Sequence, residues 1–113
     1  MLISTSENTG NLLITQNLGL VTGSVVWSKH IGRDIMAGLK TIIGGEIRGY
    51  TEMIMQARQV AHDRMQQHAA AIGADGIICV RLSTSSVMQG MVEVVAYGTA
   101  VKLAARQAPP LPG

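Results

Sequence analysis

The sequence predicts an α+β fold, in which a single-layer, mostly antiparallel sheet is covered by one long and one short helix. Three observations lead to this prediction. Runs of β-branched and aliphatic residues lie at both ends of the chain, two helical patterns lie between them, and no internal repeat is present. The resulting order, β-β-β-α-α-β-β, differs from the alternating βαβ units of a parallel sheet. The 113 residues fit one domain, which we assign to residues 1–106, followed by a disordered Pro-rich tail at residues 107–113.

The first third of the chain predicts three strands. Residues 2–5 form a short strand, residues 12–15 a second short strand, and residues 18–27 a long strand rich in β-branched residues. Gly19 and Gly23 indicate bulges or the close approach of another backbone. The long strand presents Leu18, Leu20, Thr22 and Val26 on one face and Val21, Val25 and Trp27 on the other.

Two helices are predicted in the middle of the chain. Residues 30–43 carry apolar side chains at helical spacing and end at Gly44-Gly45, because glycine adopts the left-handed cap conformation without a Cβ penalty. Residues 50–72 are the clearer helix, and Gly73 ends it. The predicted apolar stripe of this helix is Ile54, Ala57, Ala61, Met65, His68 and Ile72.

Two further strands are predicted after a turn at residues 74–76. The first covers residues 77–82, a polar hairpin loop covers residues 84–90, and the last strand covers residues 91–103. Both strands are apolar on both faces. In the first, Ile77 and Cys79 oppose Ile78, Val80 and Leu82; in the second, Met91, Val95, Tyr97, Val101 and Leu103 oppose Val92, Val94, Ala96 and Ala100.

The two apolar faces of the sheet predict self-assembly. One long and one short helix cover only one face, and leaving the other face in water costs about 25 cal/mol per Å² of apolar surface. A closed homo-oligomer buries that face. The charged fraction of 14% agrees with this prediction, because charged residues are depleted at the cores of subunit interfaces.

The composition argues against nucleic-acid and membrane partners. The nine Lys and Arg residues are scattered, so the net charge of +2 forms no basic patch, and aromatic residues make up only 3% of the chain. The uncharged stretch of residues 8–28 is interrupted by polar residues and three glycines, which is typical of a sheet rather than of a membrane span. One cysteine and no secretory signal pattern predict a cytoplasmic protein without disulfides.

A set of short motifs extends over residues 2–103. They are Gly23 with the strand that follows it, Arg33-Asp34, Gly38, Gly44-Gly45-Glu46, Tyr50, Ala57-Arg58, Gly73-Ala74-Asp75-Gly76 and Tyr97-Gly98-Thr99-Ala100-Val101-Lys102. Together they resemble the YbjQ-like family, small bacterial and archaeal proteins of unassigned function that carry a heavy-metal-binding label. The resemblance implies a ring-shaped homo-oligomer, the pentamer being the family's known assembly, and it implies no established catalytic residue.

The best polar cluster for a ligand consists of Arg33 and Asp34 near Gly44, Gly45 and Glu46. A glycine-rich turn beside a helix start exposes backbone N–H groups, and a nearby Arg binds an anion or a carboxylate. These five residues are the predicted ligand-binding site. The alternative is structural, namely an Arg–carboxylate pair between subunits and a helix–helix turn. The turn lacks the Lys-Ser/Thr of a P-loop, which argues against nucleotide binding.

Metal binding has weaker candidates in Cys79 and His30. A soft metal ion needs three or four converging thiolate or imidazole ligands, and the chain has one Cys and three His with no CxxC, HxH or HExxH spacing. His62 and His68 are six residues apart on a helix, so they point to different sides. Cys79, in the middle of an aliphatic strand, fits a buried core thiol better. A divalent or soft ion would therefore need thiols that meet around a ring axis or in a cleft between subunits.

No catalytic motif is present, and we predict that the protein is not an enzyme. The serines lack a nucleophile elbow, and Glu93, on an otherwise apolar strand, is expected to pair with Arg81 on the neighbouring strand. The sequence therefore predicts a small oligomeric binding protein that holds a metal ion or a small anion between subunits. The alternative is a structural or protein-interaction ring without a ligand.

Overall fold

The structure, a computed structural model, describes residues 1–28, 46–88 and 90–106, and for residues 46–50 it describes the backbone alone. Its elements are β1 (Leu2–Ile3), β2 (Leu12–Ser28), α1 (Glu46–Ala71), β3 (Gly76–Met88) and β4 (Met91–Ala105). The predicted α+β class is confirmed. The short helix predicted at residues 30–43 and the tail predicted at residues 107–113 lie outside the described residues.

The four strands form one mixed sheet in the order β1-β3-β4-β2. β1 pairs in parallel with the start of β3, where Leu2 is opposite Gly76. β2 and β3 each run antiparallel to β4. β4, the last of the described strands, is therefore in the middle of the sheet, with a hydrogen-bonded neighbour on both sides.

β2 is one continuous strand, whereas two separate strands were predicted at residues 12–15 and 18–27. The register against β4 shifts at Thr15 and again at Leu18, which marks two β-bulges. A bulge accommodates an extra residue while the strands on either side of it remain paired. The prediction of a break was wrong because pairing with β4 continues through the two polar residues between the bulges.

β3 extends to Met88, so the polar hairpin loop predicted at residues 84–90 is wrong for most of its length. Thr84 is opposite Val94 of β4, and the pairing continues to the end of the hairpin. Hydroxyl side chains are compatible with an exposed strand, because the backbone supplies the pairing. The turn itself includes Gly90, whose φ of 79° is favourable for glycine in a tight hairpin.

α1 packs on one face of the sheet, mainly over β2 and β4. Its buried side chains recur at every fourth residue: Met53, Ala57, Ala61, Met65 and Ala69. They cover the face that carries Val21, Val25 and Trp27 of β2 and Val92, Val94, Ala96 and Ala100 of β4, all of which are buried. On each strand these residues share one face, as predicted. His68 and Ile72, predicted on the buried stripe, are exposed. Ala69 faces the sheet instead with its small side chain. It follows His68 by one residue and therefore lies about 100° further around the helix.

The helix comes closest to β2 at Gly23. A Cβ at this position would overlap the carbonyl oxygen of Ala61 and the amide nitrogen of Met65, and it would lie 2.8 Å from the carbonyl carbon of Arg64. Only glycine leaves room for helix backbone at this distance. The close backbone approach predicted at Gly23 is confirmed.

α1 ends in a Schellman motif, as the predicted stop at Gly73 requires. The N–H of Ala74 donates to the carbonyl of Ala69 (3.0 Å), and the N–H of Gly73 donates to the carbonyl of Ala70 (3.0 Å). Gly73 has a φ of 80°, the left-handed conformation that this cap needs.

Asp75 connects the start of β1 and the end of β4 just after this cap. Its N–H donates to the carbonyl of Val101 (2.9 Å), and its carbonyl accepts from the N–H of Leu2 (3.2 Å). Its carboxylate Oδ2 accepts from the N–H of Leu103 (3.0 Å). Asp75 therefore holds β1 and β4 next to the point where β3 begins.

Candidate functional site

The sheet face opposite α1 has no covering layer within residues 1–28, 46–88 and 90–106, and we call it the open face. It carries Leu20, Thr22, Ser24 and Val26 of β2, Glu93, Val95, Tyr97 and Thr99 of β4, and Arg81, Ser83 and Ser85 of β3. Leu20 is 67% exposed, Val26 47% and Tyr97 39%. The open face therefore combines large exposed apolar side chains with only two charged residues.

The two charged residues of the open face do not form the predicted salt bridge. Glu93 is opposite Ser85, whereas Arg81 is opposite Tyr97, four residues further along β4. The Arg81 guanidinium donates instead to the backbone carbonyl of Thr5. The prediction was wrong because four residues along a strand separate the two positions by about 13 Å.

Cys79 forms a bulge in β3. Among the described residues it is the non-glycine residue with a positive φ, 55°, and the register against β4 shifts at this point. The predicted alternation of faces is therefore wrong for this strand. Ile77 and Val80, assigned to opposite faces, both approach Gly98, where an added Cβ would lie 2.7 Å from the Cγ2 of Ile77 and 3.1 Å from the Cγ2 of Val80.

The N-terminal segment runs alongside this bulge. The N–H of Cys79 donates to the carbonyl of Ser6, and the N–H of Val80 donates to the carbonyl of Ser4, both at 3.0 Å. Cys79 is a free cysteine and, as a whole residue, is of intermediate exposure, whereas the sequence favoured a fully buried core thiol.

Two side chains of α1 reach the outer edge of β2, which was not predicted from the sequence. The N–H of Thr22 donates to Nδ1 of His68 (3.2 Å), and Nη1 of Arg64 donates to the carbonyl of Ser24 (2.7 Å). The first bond requires the neutral imidazole tautomer with its proton on Nε2. The i, i+4 spacing of Arg64 and His68 is the sequence signal for two polar side chains on one side of a helix.

The described histidines make separate contacts. His62 is within hydrogen-bond distance of Gln66 on the same helix, with 2.9 Å between Nδ1 and Nε2, whereas His68 contacts β2. This agrees with the prediction that they point to different sides. No group of three or more His, Cys, Asp or Glu side chains comes together in the described part of the chain.

The predicted ligand-binding residues fall largely beyond the described segments. Arg33, Asp34, Gly44, Gly45 and the metal candidate His30 all lie within residues 29–45, outside the described residues. Glu46 is the first residue of α1, and only its backbone is described. The site of these residues stays a prediction from the sequence.

The geometry defines a class of protein: a small α+β chain with one sheet face covered by a helix and one open face. No helix among the described residues has the length and hydropathy needed to cross a bilayer. The YbjQ family model, whose description reads "Putative heavy-metal-binding", matches residues 1–104. The chain belongs to this family.

Relatives match nearly the whole chain. A UPF0145 protein of Vibrio campbellii is 55% identical over 103 residues, which are 91% of this chain and 99% of the relative. A UPF0145 protein of Photobacterium profundum is 58% identical over 101 residues, 89% of this chain and 97% of the relative. A UPF0145 protein of Thermotoga maritima is 52% identical over 103 residues, 91% and 97% of the two chains.

The fold is similar to that of a solved structure. The crystal structure of a protein of unknown function from Pediococcus pentosaceus, of the DUF74 family, aligns with a TM-score of 0.62 and 18% identity. The alignment covers 92% of this chain and 98% of the other. At this identity the likeness concerns the fold alone.

Proposed function

We propose that the chain is the subunit of a homo-oligomeric binding protein, and that subunits pack through the open face of the sheet. The observation that carries the proposal is the exposure of Leu20, Val26 and Tyr97 on one surface. Full burial of one such side chain stabilises by about 1.5–3 kcal/mol, so a partner that covers all three gains several kcal/mol. The predicted ring, the predicted pentamer and the predicted cytoplasmic location belong to this proposal.

The size of the subunit supports the same proposal. Its radius of gyration is 18.6 Å, whereas a compact domain of this length has a radius of gyration of about 13 Å. An elongated folded subunit buries less of its own surface than a compact one, and contacts with other copies offset that deficit.

The open face can be tested by adding charge to it without disturbing the subunit. Val26 is opposite Glu93 on β4, so Val26→Lys places an ammonium beside a carboxylate, an arrangement that is tolerated within a sheet. In an interface the same ammonium has to be desolvated, so we expect association to weaken by at least about tenfold, or 1.4 kcal/mol.

The measurement is the mass in solution by light scattering, compared with the 11.9 kDa of one chain. The matched control is Gln67→Lys, which adds the same charge to an exposed position of α1. We expect a multiple of the chain mass for the unmodified protein and for the control, and a lower mass for Val26→Lys. A monomeric unmodified protein at micromolar concentration rules out the proposal.

A second candidate function is the binding of a soft metal ion by Cys79. It is favoured by the free cysteine of intermediate exposure at the β3 bulge and by the description of the family. One thiolate does not hold an ion alone, so this function needs Cys79 from several copies. Cys79→Ser should abolish retention of zinc or copper measured by elemental analysis, and His62→Ala should leave retention unchanged. Equal metal content in Cys79→Ser and the unmodified protein excludes the thiol as a ligand.

The predicted anion site at Arg33, Asp34, Gly44, Gly45 and Glu46 remains the third element of the proposal. Its support is the sequence pattern of an arginine beside a glycine-rich turn at the start of a helix. Arg33→Ala should weaken the binding of inorganic phosphate in calorimetry if this site exists, and Arg106→Ala is the matched loss of one positive charge elsewhere. An identical titration for the two variants contradicts the site.

A further inference from the structure

The outer edge of β2 is contacted by two side chains of α1 that respond differently to pH. Nη1 of Arg64 donates to the carbonyl of Ser24 (2.7 Å), and the N–H of Thr22 donates to Nδ1 of His68 (3.2 Å). A guanidinium is not deprotonated in proteins, whereas an imidazole changes its charge between about pH 5 and pH 8. The contact of His68 is therefore the one of the two that acid alters.

His68 lies beside both polar backbone groups of one residue. Its Nδ1 is 3.2 Å from the amide nitrogen of Thr22 and 3.4 Å from the carbonyl oxygen of Thr22. In the neutral ring with its proton on Nε2, the lone pair of Nδ1 accepts from the N–H, and the carbonyl oxygen is not used. A proton on Nδ1 makes this nitrogen a donor, which matches the carbonyl oxygen and no longer the N–H.

We propose that His68 is a pH-sensitive switch on the edge of β2. The neutral imidazole accepts a hydrogen bond from the Thr22 N–H. When Nδ1 takes up a proton from solvent, this bond is lost, and the imidazolium donates to the Thr22 carbonyl through the same nitrogen. The Thr22 N–H is therefore covered above the pH range in which His68 titrates and open to water below it. The switch is a property of one subunit and depends neither on the proposed assembly nor on the proposed ligand sites.

The strands beside His68 place no carboxylate next to it within the described residues. β2 carries no charged residue over Leu12–Ser28. The titratable side chains of β4 are the phenol opposite Thr22, which is on the open face, and two charged groups four and five residues away along the strand: Tyr97, Glu93 and Lys102. Four residues of a strand span about 13 Å. A proton on His68 is therefore not neutralised by the sheet.

The charged groups of α1 and its C-terminal end leave the same acceptor. His68 lies in the last turn of α1, where cations are compatible with the carbonyl ends of the helix. Arg64, one turn earlier, and the ammonium of Lys102, at the C-terminal end of the helix, are both positive. The nearest carboxylate in sequence, that of Asp63, accepts from a glutamine of the preceding turn. Among the described residues, the acceptor that Nδ1–H finds is the Thr22 carbonyl.

The packing of α1 keeps the imidazole at the edge in both states. Gly23, next to Thr22, lies against the backbone of Ala61 and Met65 without room for a Cβ. A helix packed this closely about one turn from His68 does not move away when one hydrogen bond changes. Protonation therefore exchanges the bonded group within Thr22 and leaves the rest of the core in place.

Nuclear magnetic resonance of the unmodified protein tests the switch. Imidazole nitrogen shifts report the tautomer and the titration of His68. Hydrogen exchange reports the protection of the Thr22 amide, expressed relative to the intrinsic exchange rate at each pH. We expect the neutral ring to carry its proton on Nε2. We expect the protection of Thr22 to fall about fivefold as His68 is protonated, with the same midpoint for both curves.

Asparagine provides a variant that does not titrate. In His68→Asn the side-chain oxygen replaces Nδ1 as the acceptor and binds no proton in this pH range, so the Thr22 amide should stay protected throughout. The matched control is His62→Asn, because the partner of His62 is Gln66 on the same helix. In this control the protection of Thr22 should follow pH as in the unmodified protein.

Three results overturn the proposal. A neutral ring with its proton on Nδ1 donates to the carbonyl at every pH and leaves no bond to exchange. Constant protection of Thr22 across the titration of His68 shows that the imidazole does not cover the amide. Loss of protection at acidic pH in His68→Asn, as in the unmodified protein, assigns the change to another group. If this variant does not fold, the two measurements on the unmodified protein decide the matter.

Discussion

Cys79 and Gly23 are the two residues at which backbone geometry sets the local structure. Cys79 has a φ of 55° in a strand of otherwise extended residues, which breaks the alternation of side chains on β3. Gly23 allows α1 to approach β2 so closely that helix backbone occupies the place of a Cβ. The sequence predicts a special role for Gly23, because a glycine within a β-branched run indicates a bulge or a close backbone approach. A cysteine within an aliphatic run gives no signal of a left-handed conformation.

Replacement of Cys79 should depend on the backbone preference of the new residue. A left-handed conformation costs a non-glycine residue about 1–2 kcal/mol, and this cost is larger for a β-branched side chain. In Cys79→Gly the relief of strain offsets the greater freedom of the unfolded chain, so we expect the free energy of unfolding to change by less than about 1 kcal/mol. Cys79→Val should lose about 2 kcal/mol.

Urea denaturation at one fixed protein concentration measures both changes, because assembly couples stability to concentration. Thr84→Val is the control, since it places valine at an exposed position of the same strand, away from the open face, and should cost less than about 0.5 kcal/mol. Equal stability of Cys79→Gly and Cys79→Val would show that the conformation at this position is not left-handed.

A methyl group at Gly23 should destabilise the protein strongly. It would overlap the backbone of Ala61 and Met65, which cannot move aside without displacing α1. We expect Gly23→Ala to lower the free energy of unfolding by about 3 kcal/mol. Gly10→Ala, where a Cβ meets no atom but φ is 66°, should cost only about 1 kcal/mol from the backbone conformation. Similar denaturation curves for the two variants would disprove the close packing.

At the scale of elements, the sequence predicts the end of the helix and the two faces of the strands more reliably than the lengths of the strands. Gly73 ends α1 as predicted, because the Schellman cap needs a residue that tolerates positive φ. The helix-facing residues of β2 and β4 follow from period-two alternation. The full length of β2 and β3 did not follow, because bulges and hydroxyl side chains carry no hydrophobic pattern, and their pairing is decided by β4.

The edge of β2 provides a test of how α1 protects a strand. In His68→Ala the Thr22 N–H loses its acceptor, which is worth about 1 kcal/mol or a fivefold change in an equilibrium constant. We expect the Thr22 amide to exchange about fivefold faster by nuclear magnetic resonance. Gln67→Ala, at the neighbouring exposed position of α1, should not change it. An unchanged Thr22 rate in His68→Ala means that the imidazole does not protect this edge.

At the scale of the whole molecule, the core lies between α1 and one face of the sheet. The sequence predicts the fold class, whereas the position of a ligand site depends on tertiary packing. The α+β class and the division of the sheet into two faces follow from composition and periodicity, because alternation along each strand assigns its residues to one face or the other. The candidate ligand site stays a prediction from the sequence, because Arg33 lies outside the described residues and a site there depends on contacts with another segment, such as the one that begins at Glu46. Contacts of that kind are set by tertiary packing, which a local pattern does not encode.

Thermal stability should depend on protein concentration if folding and assembly are coupled. Binding of further copies to the folded state stabilises it by mass action, so we expect the Tm of the unmodified protein to rise with concentration. Val26→Lys should reduce this dependence, and Gln67→Lys should retain it. A Tm that stays constant over a wide range of concentration indicates that each chain folds independently.

The position of β4 has a consequence for the order in which the protein can fold. β4 is the last of the described strands to be synthesised, yet within the described residues β2 pairs with no other strand, and Leu12 finds its partner only at Ala105. A growing chain therefore completes β2 long before the strand to which it hydrogen bonds exists. Joining segments so distant in sequence makes sheet formation slow, and incomplete chains expose a long uncharged strand. A chain truncated before Met91 leaves β2 unpaired, so the C-terminal strand controls whether the sheet can form.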